Sequence, residues 1–389
     1  MCSDASPRMP EAGAPDSAVP EPRRLSVVCL SVYPAAGPSV RHRVLGYEQA
    51  WRGMGIKVTL QAFLTSGLYR NRRRFGWPWT LYKAWHFAFC SARLAWRLAF
   101  LWRFDVAIIH REAFPLGSAW AERLAARINP RIVFDFDDAI WLRMPLAVDQ
   151  RRLFWDADRV GDAIAACRAV VAGNTMLAGY ARGFNSRVTI IPTPYLDLGG
   201  GANPAGHSDR VPVVVWIGNV GNEEYLDLIR TPLQRLAREI DFVFRIIGSA
   251  EATGFSIPGV KVETLEWRED KEREWLLGSA IGVMPLDDRE YERGKCAFKL
   301  VQYFSAGLPV VSSPVGMNAE VVTHGVNGYL ASGEDEWYDC LELLLQSAER
   351  RRRMGASGYA VFRERFGREK SAVQWMNVFR DVGGPSPRS

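Results

Sequence analysis

The stretch from residue 292 to residue 329 constrains the fold of this chain more than any other part of it. A polar loop leads into an apolar segment with helical spacing over 298–306. Gly307 then ends the predicted helix, because glycine tolerates the left-handed conformation. The β-branched run 308–312 predicts a short buried strand, and a second helix opens at about residue 316. Helices that alternate with buried strands in this way indicate an α/β fold.

The loop before the first of these helices has the features of an anion site. A helix N-terminus presents free backbone N–H groups and the positive end of the helix dipole. Lys295 and Lys299 add full positive charges at the same place. Together with the backbone N–H groups near Phe298, they predict a site for phosphate.

The same stretch resembles the C-terminal signature of retaining GT-B glycosyltransferases of the group 1, or family 4, type. In that signature a Glu, seven residues and a second Glu are followed by a helix that ends in Ala-Gly-x-Pro-Val. Here the turn reads AGLPV at 306–310, and the helix reads KLVQY at 299–303 where a subset of the family has Lys-[Leu/Ile/Val]-x-Glu-Tyr. Gln302 therefore replaces the second Glu, and Gly294 falls at the first, two residues from Glu292.

The resemblance extends from about residue 25 to residue 379 and implies a GT-B fold, an α/β architecture in which two Rossmann-like, doubly wound domains face a cleft. It implies transfer of a sugar from a nucleotide-diphosphate sugar to an acceptor hydroxyl, with the anomeric configuration retained. The leaving phosphate is thought to take the acceptor's proton in this family, and no cofactor is implied beyond the donor substrate. The family's second Glu binds the donor ribose, so we expect Gln302 to face the ribose and Gln302→Glu to keep activity.

Strand and helix patterns along the chain predict two domains joined by a glycine-rich linker. One strand–helix series opens at Leu25 and a second at Val213. The expected division is a disordered tail at 1–24, an acceptor domain at 25–198, a linker at 199–210, a nucleotide-sugar domain at 211–366, a helix at 367–380 that crosses back to the first domain, and a tail at 381–389.

Composition favours a soluble protein of the cytoplasm. Hydrophobic residues make up 48% of the chain and charged residues 24%, and no uncharged run reaches the roughly 20 residues that span a bilayer. No signal peptide is recognised. The six cysteines have no metal-binding spacing, so we expect buried, reduced thiols.

The net charge of +6 is unevenly distributed. No acidic residue lies between Glu48 and Asp105, a gap that contains ten basic residues and six tryptophans. A helix over about 79–104 would separate basic residues from tryptophans, so segment 70–104 is predicted to rest on the anionic inner face of the cytoplasmic membrane. The alternative is a surface helix whose apolar face is core and whose arginines are solvated. Nucleic acid is not expected as a partner, because no nucleic-acid-binding motif accompanies the charge.

Polar residues after the predicted strands of the first half are the candidates for catalysis. His110 follows one buried strand, and Asp137 and Asp138 follow another, in the run FDFDD. We expect these three to act on a lipid-linked or saccharide acceptor. Grouped carboxylates could instead bind a metal, as in the GT-A fold, or cap a helix, but GT-B enzymes of this type generally need no metal.

Other strand ends supply candidates for donor binding. Gly37 lets the backbone approach a ligand, and Arg41 either contacts the donor phosphates or is an ordinary surface charge. Gly218 and Asn219 lie where the family has Arg and Lys, so the positive charge must come from elsewhere. The residues available to supply it are Arg293, Lys295 and Lys299.

Two other classes of function remain open at this level. Gln302 and the missing Arg and Lys after Trp216 are compatible with a non-catalytic protein that binds a sugar nucleotide or a partner. A nucleotide-sugar epimerase is also compatible, although the basic, tryptophan-rich segment argues against a purely soluble substrate. No Gly-x-Ser-x-Gly elbow and no Ser/His/Asp arrangement is apparent, and the glycine spacing of dinucleotide oxidoreductases is missing.

Overall fold

The structure is a computed structural model, and it describes residues 24–71, 76–142, 158–202, 211–218, 222–248 and 255–383. The described residues form two six-stranded sheets in which every pair of neighbouring strands is parallel. This confirms the expected α/β fold with two doubly wound domains.

The first sheet has the strand order β2-β1-β3-β4-β5-β6. Its strands are β1 (Leu25–Ser31), β2 (Ile56–Ala62), β3 (Val106–His110), β4 (Ile132–Phe136), β5 (Ala169–Ala172) and β6 (Val188–Ile190). Strands β1, β3, β4 and β5 are buried almost throughout, because helices cover both faces of a doubly wound sheet.

The helices of this half surround the first sheet. They are α1 (Pro38–Arg43), α2 (Glu48–Gly53), α3 (Ser66–Arg70), α4 (Trp77–Ala99), α5 (Trp120–Ile128), α6 (Arg159–Ala166) and α7 (Thr175–Arg182). Helices α1 and α2 are separated by a 3-10 turn at Leu45–Tyr47. Val44 there is buried and has a non-helical backbone, and the break brings both Tyr47 and Trp51 into the core.

The second sheet has the order β12-β11-β10-β7-β8-β9. Its strands are β7 (Val213–Ile217), β8 (Val243–Gly248), β9 (Lys261–Glu266), β10 (Ile281–Met284), β11 (Val310–Ser312) and β12 (Gly328–Leu330). The following helices belong to this half: α8 (Arg230–Leu236), α9 (Glu269–Leu277), α10 (Glu290–Arg293), α11 (Phe298–Ser305), α12 (Met317–Val321), α13 (Glu334–Leu345) and α14 (Ala348–Arg365).

The start of the expected linker is packed against the second domain. Gly200 lies so close to Ala306 and Gly307 that a Cβ atom there would collide with their backbone. Gly307 itself has φ +68°, as expected of the glycine that ends a helix. Residues 203–210 of the linker lie outside the described part of the chain.

The last helix, α15 (Arg368–Asp381), packs on the first domain rather than the second. Its Trp375 lies 6.0 Å from the ring of Trp51, edge to face, and Trp51 stacks on Tyr47 at 4.8 Å. All three rings are at most 1% exposed. This aromatic cluster therefore fastens the C-terminal end of the chain to the N-terminal sheet.

Two smaller expectations concern cysteines and membrane crossing. The five described cysteines are all buried and free, as expected. Among the described helices, none has the length and apolarity needed to cross a bilayer.

Truncating Trp375 tests the role of the aromatic cluster. Trp375→Ala should lower the free energy of unfolding by about 3–5 kcal/mol, because it opens a large cavity in a packed core. Val373→Ala on the same helix, where the side chain is 50% exposed, should change it by less than about 0.5 kcal/mol. Calorimetric unfolding of both variants makes the comparison, and equal stability would show that α15 does not hold the first domain together.

Candidate active site

A cavity of about 320 Å³ lies between the two domains, at the carboxyl ends of their strands. Ligands of open α/β sheets gather at this edge. The first domain contributes Pro38, Ser39, His42, Arg111, Asp137, Asp138 and Thr193. The second domain contributes Asn222, Tyr225, Met284, Leu286, Tyr291, Lys295, Cys296, Ala297, Phe298 and Lys299.

A fully buried ion pair supports the wall from the first domain. Arg43 donates from Nε to both carboxylate oxygens of Asp135, at 3.1 and 3.2 Å, and neither side chain is exposed. The parallel register of β3 and β4 sets His110 beside Asp135, and His110 Nδ1 lies 2.7 Å from Asp135 Oδ2. Burial alone would raise the pKa of Asp135, but Arg43 and His110 reverse the effect and lower it.

Ser39 connects this buried group to the cavity. Its Oγ lies 2.8 Å from His110 Nε2 and donates to Asp137 Oδ2 at 2.6 Å. Ser39, His110 and Asp135 thus form a hydrogen-bonded row that was not apparent from the sequence. Ser39 and His110 are 71 residues apart in sequence and meet only because α1 lies over the end of β3.

Arg111 bridges the two carboxylates that line the cavity. Its Nε donates to Asp137 at 2.7 Å and its Nη2 to Asp138 at 2.5 Å. Burial raises the pKa of both carboxyls, but the charge of Arg111 leaves the pKa of Asp137 well below its usual range. The pKa of Asp138 stays raised, because burial, aided by repulsion from Asp137, outweighs the charge of Arg111. Two adjacent carboxyls with opposite shifts commonly divide their roles in an active site.

Two lysines stand on the facing wall without a carboxylate partner. Within the described ranges, no carboxylate oxygen lies within ion-pair distance of Lys295 or Lys299. Lys299 Nζ sits 4.6 Å above the ring of Trp216, and Lys295 Nζ is 3.2 Å from Asn222 Oδ1. Burial, aided by repulsion from Lys295, lowers the pKa of Lys299 to about 7. Burial also lowers the pKa of Lys295, so a bound anion would stabilise both charges.

Helix α11 begins at the cavity with its first N–H groups uncapped by any side chain. The residue before it, Ala297, has φ +49°, and Arg111 on the opposite wall has φ +63°. In the described part of the chain these are the two non-glycine residues with positive φ, and both line the cavity. Such conformations cost about 1 kcal/mol or more and concentrate at functional sites.

The remaining candidates from the sequence do not all reach the cavity. Arg41 reaches across to the second domain, where it lies 4.5 Å above the ring of Trp267 and 3.5 Å from Glu269. Arg293 is exposed and pairs with Asp288. Neither arginine lines the cavity, so Lys295 and Lys299 are the cations nearest to a ligand from the second domain.

The candidate glycines serve the backbone around the cavity. Gly37 precedes α1, and a Cβ there would press on Tyr33 and on the Pro34 carbonyl oxygen. Gly218 lies against the indole ring of Trp216, the ring that supports Lys299. Asn219 falls outside the described residues.

Gln302 is buried, with 5% of its surface exposed, and its amide is hydrogen-bonded to another side chain. Gln302 Nε2 donates to Glu272 Oε1 at 2.6 Å, and Glu272 also accepts from Tyr195 and Trp267. The residue does not line the cavity. In this geometry the Gln amide satisfies a buried carboxylate of α9, an arrangement that a Glu at position 302 could not reproduce.

Several cavity residues were not singled out from the sequence. Tyr225 donates to buried Glu292 at 2.5 Å, and its ring lies under Lys295 at 4.6 Å. His42 packs on Phe298 at 4.6 Å, and burial lowers its pKa to about 3, so it is neutral. Isolated tyrosines and a histidine within a helix carry no motif. Arg111 is the exception, because it directly follows His110, which the sequence analysis had placed at the end of a buried strand.

Comparison with known families supports the interpretation of the second domain. Residues 211–347 match the profile of the family described as Glycosyl transferases group 1. The resemblance seen in the helix and turn at 299–310 is thereby confirmed for this part of the chain. No curated protein matches the sequence significantly.

Solved structures with the same fold cover almost the whole chain. Anabaena Alr3699/HepE in complex with UDP and glucose has a TM-score of 0.65 at 13% identity, covering 92% of this chain and 100% of its own. A glycosyltransferase from Rickettsia africae has a TM-score of 0.63 at 9% identity, with 92% and 98% coverage. Sucrose-phosphate synthase from Thermosynechococcus elongatus has a TM-score of 0.62 at 12% identity, covering 92% of this chain and 99% of its own. These likenesses establish the GT-B fold.

The structure makes a different prediction for Gln302→Glu than the sequence does. The exchange would place two buried carboxylates within hydrogen-bond distance and remove a donor, so it should destabilise the protein by about 2–3 kcal/mol. The double exchange Gln302→Glu with Glu272→Gln restores one amide and one carboxylate and should recover most of that loss. Thermal unfolding of the three variants measures the effect. If the single variant is as stable as wild type, the pair is not coupled as described.

Proposed function

We propose that this protein transfers a sugar from a nucleotide-diphosphate sugar to an acceptor hydroxyl, with retention of the anomeric configuration, in the synthesis of a polysaccharide or glycolipid. One observation carries the proposal. Two lysines without carboxylate partners, at the uncapped N-terminus of α11, face an arginine–carboxylate group across the cleft between two domains. The family match of residues 211–347 supports sugar transfer as the reaction class.

The donor diphosphate would bind at Lys295, Lys299 and the first N–H groups of α11. Negative charge develops on the diphosphate as the bond to the sugar breaks, and prearranged positive groups in a water-poor site stabilise that charge most effectively. UDP-glucose, which Alr3699/HepE binds, is the first donor to test. No cofactor enters this scheme.

The acceptor would approach from the wall of the first domain. Asp138 lines the cavity and has the raised pKa, so we assign it to orient the acceptor hydroxyl. Asp137 is held by Arg111 and Ser39, and His110 supports Ser39 from behind. The departing phosphate takes the acceptor's proton, so the carboxyls position the hydroxyl and need not remove its proton themselves.

Direct contacts join the two domains beside the proposed site. Asn174 of the first domain donates to the carbonyl oxygen of Gly294 at 3.0 Å and of Lys295 at 3.2 Å. Gly173 lies so close to Cys296 that a side chain there would collide with the thiol. A dry cleft strengthens the interaction between the lysines and the diphosphate.

The acceptor is proposed to be lipid-linked or a saccharide, with the protein lying peripherally on the inner face of the cytoplasmic membrane. The acid-free segment between Glu48 and Asp105 supports this location. Arg72, Arg73 and Arg74 of that segment lie outside the described residues.

A non-catalytic protein that binds a sugar nucleotide is the second candidate. Gln302 is bonded to Glu272 and does not line the cavity, so the usual ribose contact of the family has no counterpart at this position. A nucleotide-sugar epimerase would share the donor site without an acceptor. Transfer to an acceptor with release of nucleoside diphosphate indicates the transferase, and conversion of the nucleotide-sugar to its epimer without net release indicates the epimerase. Binding without turnover indicates the non-catalytic protein.

The pKa of Lys299 predicts a pH dependence of donor binding. In the empty site about half of the Lys299 side chains are neutral at about pH 7. A bound diphosphate would raise the pKa of Lys299. Above about pH 7, therefore, Lys299 must take up a proton when UDP binds. The affinity for UDP should therefore fall as pH rises above about 7, approaching tenfold per pH unit. Lys299→Met should lose this part of the pH dependence and bind about tenfold more weakly at about pH 6.

Calorimetric titration with UDP in buffers of different ionisation enthalpy measures both the affinity and the proton uptake. Arg293→Met is the matched control, because Arg293 is exposed and pairs with Asp288. If Lys299→Met keeps the affinity and pH profile of wild type, Lys299 does not bind the diphosphate.

Replacing Asp138 tests the acceptor side. Asp138→Asn should lower kcat at least about tenfold while the affinity for UDP changes less than about twofold, because the carboxyl is assigned to the acceptor. Asp288→Asn, an exposed carboxyl outside the cavity, should leave both unchanged. Loss of UDP binding with intact turnover per bound donor would place Asp138 on the donor side instead.

A further inference from the structure

Helix α4 presents an apolar surface to solvent. Trp77, Leu81, Trp85, Phe89 and Trp96 lie on its outward side and are 52–75% exposed. We call these five residues the aromatic face. The other exposed positions of this helix, from Pro78 to Ala99, are alanines, a proline and a single threonine.

The two arginines of the same helix point toward the protein. Arg93 donates to the carbonyl oxygens of Ala62 and Phe63, at 2.9 and 2.6 Å, and Arg97 donates to Ala62 at 3.2 Å. Burial lowers the pKa of Arg97. Because these bonds and buried Leu94 fix the rotation of the helix, the aromatic face cannot turn inward. The alternative placed the tryptophan-bearing side in the core and the arginines in solvent, and it is wrong on both points: the side of α4 that reaches the core carries Cys90, Leu94 and Leu98.

We infer that the aromatic face of α4 inserts into the interfacial layer of an anionic lipid bilayer, with the helix lying in the membrane plane. Its 23 residues extend for about 35 Å, and tryptophan is the side chain that favours the boundary between headgroups and acyl chains. Insertion removes exposed aromatic surface from water, which is the main favourable contribution.

The surrounding charge selects a bilayer over a protein partner. Exposed Arg70 precedes the helix and exposed Arg103 follows it, and the sequence has no carboxylate from residue 49 to residue 104. A surface segment without any acidic residue complements anionic headgroups. A second copy of the chain would bring the same positive charges together, because a two-fold interface places the same surface patch of both copies in contact.

The position of α4 relates the bilayer to the cavity. Arg93 and Arg97 bind carbonyl groups at the carboxyl end of β2, the edge of the sheet at which the cavity opens. Tyr33, in the loop that leads to α1, contacts Tyr69 of α3 at 6.0 Å. A membrane under α4 thus lies near the acceptor side, which specifies a lipid-linked acceptor. This specification rests on the proposed function, whereas the membrane contact itself does not.

Vesicle sedimentation tests the inference with wild type and with Trp85→Ser/Trp96→Ser. Wild type should bind phosphatidylcholine vesicles that contain phosphatidylglycerol, and the variant should bind at least about tenfold more weakly, because each tryptophan contributes a large apolar area. Part of the wild-type binding should persist at high salt, since insertion is not screened. The matched control Val326→Ser/Val373→Ser replaces two side chains that are 51% and 50% exposed in the C-terminal half and should bind like wild type.

Quenching of tryptophan fluorescence by brominated lipid should occur in wild type and decrease in the variant. Equal binding by wild type and variant, binding abolished completely by salt, or concentration-dependent self-association without vesicle binding would each overturn the inference. UDP titration of the same variant separates the two proposals. We expect the variant to keep its affinity for UDP while it loses binding to vesicles. If wild type and variant both fail to bind UDP, the result counts against the proposed donor site and not against the membrane contact.

Discussion

The ion pair between Arg43 and Asp135 holds the first-domain half of the cleft in place. It joins α1 to β4 without access to water, and Arg43 Nη1 also donates to the Ile191 carbonyl oxygen at 3.0 Å and to Thr193 at 3.1 Å. Removing either charge would leave the other buried and unpaired, which typically costs about 3–5 kcal/mol. The orientation of His110, and through it of Ser39 and Asp137, depends on this pair.

The two walls of the cavity are electrostatically different. On the first domain the carboxylates already have arginine partners: Arg43 pairs with Asp135, and Arg111 is shared by Asp137 and Asp138. On the second domain Lys295 and Lys299 have lowered pKa values and no carboxylate partner among the described residues. This difference supports the proposal that the second domain binds the donor diphosphate and that the first domain positions the acceptor hydroxyl.

Sequence patterns predicted those features of the molecule that depend on nearby residues. The buried strands, the helix start with Lys295 and Lys299, and the carboxylates after β4 could all be found because apolar runs and helix ends are local signals. The partners of Gln302 and Arg41 could not be found in this way. Gln302 meets Glu272, which lies 30 residues earlier in the sequence, and Arg41 meets Trp267. Both contacts depend on how α9 and the residues before it pack, which no local pattern shows.

The same limit explains why the contacts among Ser39, His110 and Asp135 could not be predicted from the sequence. Each stands in a stretch that the sequence marks as a strand end or loop, yet their order in space follows from the register of parallel strands. The rotation of α4 was hidden for a related reason. Periodicity separates its basic and aromatic sides but does not say which side binds the carbonyls at residues 62 and 63.

The two places where the chain passes between domains lie side by side. Tyr195, just before the linker, pairs with Gly367, just before α15, and donates to the Phe366 carbonyl oxygen at 3.1 Å. Gly200 is already packed on the second domain, so the pivot of the first crossing lies within a few residues of Tyr195. Because the two crossings are paired with each other, a change in the angle between the domains would have to bend the chain at both of them together.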